Sequence, residues 1–334
     1  MKTVILEKPG QFSLIDTAEP DPPREGEAVV RVGRVGICGT DVHAFRGLHP
    51  FFDYPRIAGH ELGVEIAELG GDNCGLAVGD RCAVEPYLNC GCCAACRSGR
   101  TNCCVDLRVL GVHVDGGMRS YIKVPVSKLH KSDRLSLDQL ALVETLGIGA
   151  HAVERAGIEP GESVLVIGAG PIGLGVVLFC VLQGAKVTVV DINENRLAFC
   201  DQHMNVKDCV HAPPPELNPA AVFDATGNPR SMAASFGLPA HGGRLILVGM
   251  YKGSLEFDAA EYHKREMTLL ATRNSTSNTF EKIIDLMQAG RIDIGPWLTH
   301  RMALAQVPDQ FAQLSDQPGL IKAVIDVDRD QGLR

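Results

Sequence analysis

The chain has 334 residues and a formal net charge of −8. At about 100–200 residues per domain, this length predicts two domains. Because the basic residues are scattered and outnumbered by acidic ones, neither nucleic acid nor an anionic membrane is expected as a partner. The N-terminal apolar run is too short for a signal peptide, and no stretch approaches the roughly 20 apolar residues of a membrane span. We therefore expect a cytoplasmic protein.

The first 130 residues predict a β-rich domain. Short alternating or apolar runs, VILEK, EAVVRVGRVGI, LGVEIAELG and DRCAVEPYL, are separated by Gly, Pro and Asp. From about Leu137 the pattern becomes helical, in QLALVETLGIGAHAVERAG.

Strand and helix patterns then alternate along the chain. SVLVIG is followed by a glycine turn, an apolar helix over 171–183, the strand KVTVVD, a helix near 194–203, and the runs VFDATG, GGRLILVG and MTLLATR. This alternation predicts a parallel sheet with helices on both faces. The remaining residues contain an amphipathic helix, TFEKIIDLMQAG, and end in the strand-like AVIDVD. They exceed what the sheet needs, so we expect them to return to the first domain.

The run CGCCAACRSGRTNCC predicts a structural zinc site. Its C-x2-C-x2-C-x7-C spacing allows four thiolates to surround one ion. The four cysteines are Cys90, Cys93, Cys96 and Cys104. Cys92 and Cys103 are spare, so a neighbouring register stays open. Disulfides are the competing interpretation, although clustered cysteines in cytosolic enzymes more often bind metal.

The sequence GAGPIG after the predicted strand SVLVI is typical of a dinucleotide-binding turn. Gly168 permits the tight turn, Gly170 allows the backbone to approach a pyrophosphate, and Gly173 allows helix and strand to pack closely. Pro171 and Ile172 begin the helix, whose N-terminal amides attract phosphate.

Asp191, at the end of the next strand, predicts NAD rather than NADP as the cofactor. Its carboxylate would accept hydrogen bonds from the adenosine ribose hydroxyls and would repel a 2′-phosphate. Arg196 is close enough in sequence to keep NADP open. The residues assigned to the cofactor site also include Thr226, Val248 and Gly249.

One cysteine, one histidine and one buried glutamate predict a second, reactive zinc site. Cys38 in GICGTDVH and His60 in IAGHELG would each, taken singly, be ordinary buried residues. Glu144 lies in the apolar run LALVETLGIG, where a carboxylate is costly unless it is paired or binds a cation. With Glu61 as an additional or exchanging ligand, such a set leaves a coordination position open for chemistry.

Five motifs, in their order and spacing, resemble the zinc-dependent medium-chain alcohol dehydrogenases, and the resemblance covers nearly the whole chain. The motifs are GICGTDVH, GHE, the four-cysteine run, the glutamate of LVETL and GAGPIG. With a glutamate at this position, the chain is similar to the sorbitol, threonine and sugar-acid dehydrogenase branch of this family. Thr145 stands where that branch usually has proline, and 204–222 is shorter than usual.

The resemblance implies an α/β fold with two domains. A GroES-like β-rich catalytic domain, residues 1–144 and 276–334, would be split by a Rossmann domain with a doubly wound parallel sheet, residues 145–275. A homodimer or homotetramer is expected.

The resemblance also implies roles for individual residues. The ligands of the catalytic zinc would be Cys38, His60, Glu61 and Glu144, and a proton relay would use Thr40 and His43. Zinc would lower the pKa of a secondary alcohol, and NAD would accept the hydride. Residues that could line the substrate site are Phe45, Arg46, Arg56, Arg273 and Asn274.

The substrate is the least specified feature. A glutamate ligand makes the zinc site harder and favours a polyhydroxylated substrate over ethanol. The fork of Arg273 could hold a carboxylate in two parallel hydrogen bonds. We therefore predict oxidation of a secondary hydroxyl of a sugar acid, such as an aldonate of L-galactonate or L-idonate type. A neutral polyol or threonine is the alternative, and a zinc- or redox-sensing or recruited structural protein is the alternative of another class.

Overall fold

The computed structural model describes residues 1–71, 73, 75–314, 317 and 319–327. The chain divides into two compact units: unit 1, Met1–Glu144 with Thr276–Arg334, and unit 2, Thr145–Ser275. Among the described residues, no helix is both long and apolar enough to cross a bilayer.

The strands, in chain order, are β1 (Lys2–Lys8), β2 (Gln11–Asp16), β3 (Glu27–Gly36), β4 (Glu61–Gly70), β5 (Arg81–Val84), β6 (Tyr87–Leu88), β7 (Arg108–Val109), β8 (Tyr121–Pro125), β9 (Leu129–Lys131), β10 (Ser163–Ile167), β11 (Lys186–Val190), β12 (Asp208–Val210), β13 (Ala221–Asp224), β14 (Arg244–Leu247), β15 (Thr268–Ala271), β16 (Leu298–Ala303) and β17 (Lys322–Asp326). The helices are α1 (Gly39–Phe45), α2 (Ala94–Arg97), α3 (Leu137–Ala141), α4 (Val143–Ala156), α5 (Pro171–Leu182), α6 (Glu194–His203), α7 (Pro229–Ser235), α8 (Ala259–Lys264), α9 (Ser277–Gln288) and α10 (Val307–Leu314).

Unit 1 is built on a seven-stranded sheet in the order β16-β17-β3-β4-β5-β9, with β8 also paired to β3. Strand β17 pairs antiparallel with β3, which brings the C-terminal segment back to unit 1. Apolar side chains of these strands, including Val30, Val64 and Ile325, are fully buried in its core. All five residues of β17 are buried, including the charged Lys322 and Asp326 at its two ends.

Unit 2 contains six parallel strands in the order β12-β11-β10-β13-β14-β15. Helices connect β10 to β11, β11 to β12, β13 to β14 and β14 to β15, as expected for parallel neighbours, which need long crossovers. The predicted doubly wound Rossmann sheet is confirmed. The short segment 204–222 contains the three-residue edge strand β12, and its last two residues begin strand β13.

The helical region predicted from Leu137 consists of two helices. Helix α3 ends before Leu142, and α4 starts at Val143 and carries Glu144 in its first turn. The amphipathic helix predicted near the C-terminus is α9, and Gly290, at φ +68°, follows it in the left-handed conformation that glycine favours.

Candidate metal centres and cofactor site

The pairing of β3 with β4 brings three candidate metal ligands together in unit 1. Gly36 at the end of β3 pairs with Glu61 at the start of β4. Cys38 follows β3 and caps the N-terminus of α1, and His60 immediately precedes β4. The ligand atoms of Cys38, His60 and Glu61 lie within 4.8 Å of one another. A larger residue at position 36 would displace the Glu61 side chain, because an added Cβ would lie 2.0 Å from its Oε2 and 2.9 Å from its Cβ.

Two charged residues that sequence analysis did not identify complete this buried cluster. Asp41 accepts a hydrogen bond from the backbone N–H of Cys38 at 2.9 Å, and its Oδ1 lies 3.9 Å from His60 Nδ1. Lys322 donates from Nζ to Glu61 Oε1 at 2.6 Å. A lysine in the apolar strand IKAVIDV indicates a buried charge just as Glu144 does in its apolar run, so this pattern could have identified it. Asp41 lies in an ordinary helix start and shows no such pattern.

Glu144 is buried beside these residues but lies outside the group of three within 4.8 Å. Its Oε1 accepts a hydrogen bond from the hydroxyl of Tyr87, which is 2% exposed. Electrostatic interactions link Glu144 with His60 and Glu61, so the carboxylate borders the cluster. Sequence analysis did not identify Tyr87, because a tyrosine before the cysteine run is unremarkable without its partner.

Burial and mutual charge shift the protonation equilibria of the cluster. Burial raises the pKa of the Glu144 and Asp41 carboxyls. For His60, burial acts to lower the pKa, but the negative charge of Asp41 and the contact with Cys38 bring it well above its usual range. Burial likewise acts to lower the pKa of Lys322, and the charge of Glu61 raises it overall.

The donor set of this cluster fits a zinc ion. A thiol, an imidazole and carboxylates are available from Cys38, His60, Glu61 and Glu144, and zinc accepts all three donor types. His60 Nδ1 and Glu61 Oε2 are buried without a hydrogen-bond partner. Three carboxyls, those of Asp41, Glu61 and Glu144, surround the site, and a bound divalent cation would favour their charged form.

The predicted relay residues lie in helix α1, next to Cys38. Thr40 is half-buried and His43 is exposed. Their role in proton transfer stays a prediction.

The second cluster contains the four cysteines of the predicted structural site. The sulfurs of Cys90, Cys93, Cys96 and Cys104 lie within 4.8 Å of one another. Backbone N–H groups donate to three of them: Cys104 Sγ accepts from residue 90 at 3.3 Å, Cys90 Sγ from residue 93 at 3.4 Å, and Cys93 Sγ from residue 96 at 3.5 Å. The hydrogen bond from residue 96 is the main cause that lowers the pKa of Cys93 to about 6. Such donors stabilise thiolates, the form that binds zinc.

The glycine turn of unit 2 has the close packing that its sequence predicts. Gly168 has φ +96°, and a Cβ on Gly173 would lie 1.7 Å from the carbonyl oxygen of Gly168. Gly170 caps α5, and Pro171 and Ile172 are its first two residues. The helix N-terminus is therefore placed to bind phosphate.

The other predicted cofactor residues follow the carboxyl ends of neighbouring parallel strands, where such sheets bind ligands. Asp191 follows β11, and its Oδ2 accepts from the backbone N–H of Ala169 at 2.6 Å and lies 3.8 Å from Arg196 Nη1. Thr226 lies beyond β13 and donates to Asp224 at 2.6 Å. Val248 and Gly249 follow β14.

The residues predicted to line a substrate site differ in their contacts and in their exposure to solvent. Phe45 stacks on Phe12, with ring centroids 5.5 Å apart, and also contacts Phe311. Arg56 forms an ion pair with Asp115 at 3.3 Å. Arg46 in unit 1 and Arg273 in unit 2 are exposed, and Asn274 is half-buried. Their contact with a substrate stays a prediction.

Comparison with known proteins supports these assignments. Residues 24–134 match the alcohol dehydrogenase GroES-like domain, and residues 171–289 match the zinc-binding dehydrogenase family. L-galactonate-5-dehydrogenase of Escherichia coli K12 is 41% identical over 322 residues, 91% of this chain and 92% of that protein. The 2-dehydro-3-deoxy-L-galactonate 5-dehydrogenase of Pseudoalteromonas atlantica is 30% identical over 324 residues, 92% of this chain and 94% of that protein.

A solved structure is also similar over nearly its full length. The alcohol dehydrogenase RspB of Escherichia coli CFT073, complexed with NADH, superposes with a TM-score of 0.90 at 29% identity, covering 98% of this chain and 99% of that one.

The two-unit fold and the two donor clusters define a zinc-binding dehydrogenase with a GroES-like and a Rossmann domain. The chain belongs to the zinc-type alcohol dehydrogenases. The family, the enzyme class and the fold predicted from the sequence are thus confirmed.

Proposed function

We propose that the protein is a zinc- and NAD-dependent dehydrogenase that oxidises a secondary hydroxyl of a sugar acid to the ketone. The observation that carries this proposal is the 41% identity with L-galactonate-5-dehydrogenase over most of both chains. The name of the second relative also specifies oxidation at carbon 5 of a galactonate-type acid. We therefore propose an aldonate of L-galactonate type as the substrate, oxidised at carbon 5.

The side chains of the buried cluster would bind the zinc ion and hold its ligands in place. Bound through Cys38, His60 and Glu144, with Glu61 as an additional ligand, zinc would supply a Lewis acid that lowers the pKa of the substrate hydroxyl. Lys322 holds one oxygen of Glu61. Tyr87 holds one oxygen of Glu144.

Thr40 and His43 would carry the substrate proton to solvent, since His43 is exposed. The four cysteines of the second cluster would hold a structural zinc and take no part in the reaction.

We propose NAD as the hydride acceptor, with Asp191 binding the adenosine ribose. The carboxylate is held in place by the N–H of Ala169 in the glycine turn, and the similar solved structure contains NADH. The test is kcat/KM with NAD and NADP. Wild type should prefer NAD, and Asp191→Ser should weaken NAD binding and reduce the preference. Equal or higher kcat/KM of wild type with NADP would contradict the assignment.

The substrate proposal is tested with purified, zinc-loaded protein and a substrate panel. NADH formation is measured with L-galactonate, L-idonate, sorbitol and L-threonine, and Cys38→Ala serves as the inactive control. Aldonates should give the highest kcat/KM, and Arg273→Ala should raise KM for aldonates without changing KM for sorbitol. If sorbitol exceeds the aldonates and Arg273→Ala equals wild type, the acid substrate is wrong and a neutral polyol takes its place. Cytoplasmic location and homo-oligomeric assembly stay predictions.

A further inference from the structure

One spare thiol touches a proposed ligand of the structural zinc. Cys92 Sγ lies 3.7 Å from Cys90 Sγ, and both residues are exposed. Cys90 belongs to the group of four sulfurs within 4.8 Å, whereas Cys92 does not. Zinc coordination therefore leaves the Cys92 thiol in contact with both a ligand sulfur and solvent.

The backbone between the two cysteines allows their sulfurs to come closer. Gly91 has φ +72°, and a Cβ at this position would meet no atom within 4 Å. The open space beside Gly91 and the backbone freedom of glycine allow the chain between Cys90 and Cys92 to adjust at this position. A disulfide requires sulfurs about 2.05 Å apart, so the two must approach by only about 1.7 Å.

We propose that Cys90 and Cys92 are a peroxide-sensitive pair that forms a disulfide and thereby removes one ligand from the structural zinc. The inference rests on the four-cysteine zinc site of the proposed function. It assigns to residues 90–104, called the zinc lobe below, a reversible modification that the dehydrogenase reaction does not use.

The chemistry balances with hydrogen peroxide as the oxidant. The exposed Cys92 thiol attacks one peroxide oxygen; the O–O bond breaks, the sulfur becomes a sulfenic acid, and one water leaves. The zinc-bound thiolate of Cys90 then attacks the sulfenic sulfur; the S–S bond forms, the S–O bond breaks, and the departing hydroxide takes a proton from solvent and leaves as a second water. Two cysteine sulfurs are oxidised and one peroxide is reduced to two waters. A low-molecular-weight thiol would reverse the disulfide by exchange.

Loss of Cys90 from the site should release the zinc. Three sulfurs would remain for an ion that structural sites hold with four ligands. Because structural zinc contributes folding free energy, the zinc lobe should also lose stability.

The test treats the zinc-loaded enzyme with increasing hydrogen peroxide and measures zinc release with a chromogenic chelator. Intact mass and differential alkylation of the tryptic peptide 82–97 locate the disulfide. Wild type should form the Cys90–Cys92 disulfide and release one zinc per chain more than Cys92→Ser does at the same peroxide concentration. Dithiothreitol with added zinc should restore the original metal content.

Cys103→Ser is the matched control, because Cys103 is also an exposed cysteine outside the group of four sulfurs. It should behave as wild type. Zinc release from Cys92→Ser at the wild-type peroxide concentration would overturn the proposal, as would a wild-type disulfide that maps to another pair.

The readouts are mass and metal content, so the result does not depend on the substrate. A protein that contains no zinc in the zinc lobe before treatment would contradict the structural zinc of the proposed function. Disulfide mapping would then still decide whether Cys90 and Cys92 react with each other.

Discussion

At the scale of single residues, Tyr87 makes one hydroxyl contact that orients a proposed zinc ligand. Its hydroxyl donates to Glu144 Oε1, and both side chains are buried. Tyr87→Phe should weaken zinc binding about 10–100-fold, the usual effect of losing a hydrogen bond that orients a metal ligand. The ring should stay in place, since it packs edge-on against Phe280 at 6.4 Å. Competition with a chelator measures the zinc affinity.

Tyr121→Phe is the control for this prediction. Tyr121 is half-buried in β8 of the same unit and should tolerate loss of its hydroxyl without a change in zinc affinity. Unchanged zinc affinity in Tyr87→Phe would show that Glu144 is oriented without the tyrosine.

At the scale of secondary-structure elements, Arg244 joins strand β14 to the segment that precedes β10. Its guanidinium donates to both carboxylate oxygens of Glu162, at 3.1 and 2.6 Å, and to the carbonyl oxygens of Ala156 and Gly157. The hydrogen bonds from Arg244 to its carboxylate lower the pKa of Glu162 below its ordinary value. A carboxyl whose pKa is lower in the folded state stabilises the protein above its unfolded-state pKa.

The stabilisation by Glu162 should therefore disappear in acid. It is fully present above the unfolded-state pKa of about 4.3 and is lost as pH falls through the lower folded-state value. Glu162→Gln should reduce the free energy of unfolding by about 1–3 kcal/mol at neutral pH and by much less at low pH. Urea unfolding of both proteins across this pH range checks the expectation.

Glu159→Gln supplies the control for the acid dependence. Glu159 is an exposed carboxylate of the same loop, and its loss should leave the pH dependence unchanged. If Glu162→Gln lowers the free energy of unfolding equally at all pH values, the ionisation of Glu162 contributes nothing to stability.

A second connection between elements centres on Glu85, which is buried between β5 and β6. It accepts hydrogen bonds from Ser277 at 2.6 Å, at the start of α9, and from Lys128 and His130. Although burial acts to raise the pKa of Glu85, these donors lower it overall. The carboxylate thus attaches α9, which follows unit 2 in the chain, to the sheet of unit 1.

At the scale of the whole molecule, the two donor clusters predict two zinc ions per chain with different effects when one is lost. Cys38→Ala should abolish turnover and leave the melting temperature close to that of wild type. Cys93→Ser should lower the melting temperature, because a structural site contributes folding free energy. Metal analysis and calorimetry of both variants measure these outcomes. A stable, inactive Cys93→Ser protein would reverse the two assignments.

The amino-acid sequence by itself determined the chemistry of this protein where the relevant residues are close in the chain. Six cysteines between residues 90 and 104 indicated one thiolate cluster, because a short loop can converge on one ion without help from the fold. GAGPIG with Asp191 predicted the dinucleotide site in the same way, since one βαβ unit positions all of it. Glu144 was found because a carboxylate in an apolar run requires a partner.

Only the tertiary structure decided which partners the buried charges have. Glu61 and Lys322 are separated by 261 residues and meet because β17 returns to pair with β3, beside β4. Tyr87 lies in β6 and Glu144 follows it by 57 residues, and their side chains meet within unit 1. Local patterns predict that a side chain is buried, but strand order and register determine what it contacts, and these depend on packing over the whole chain.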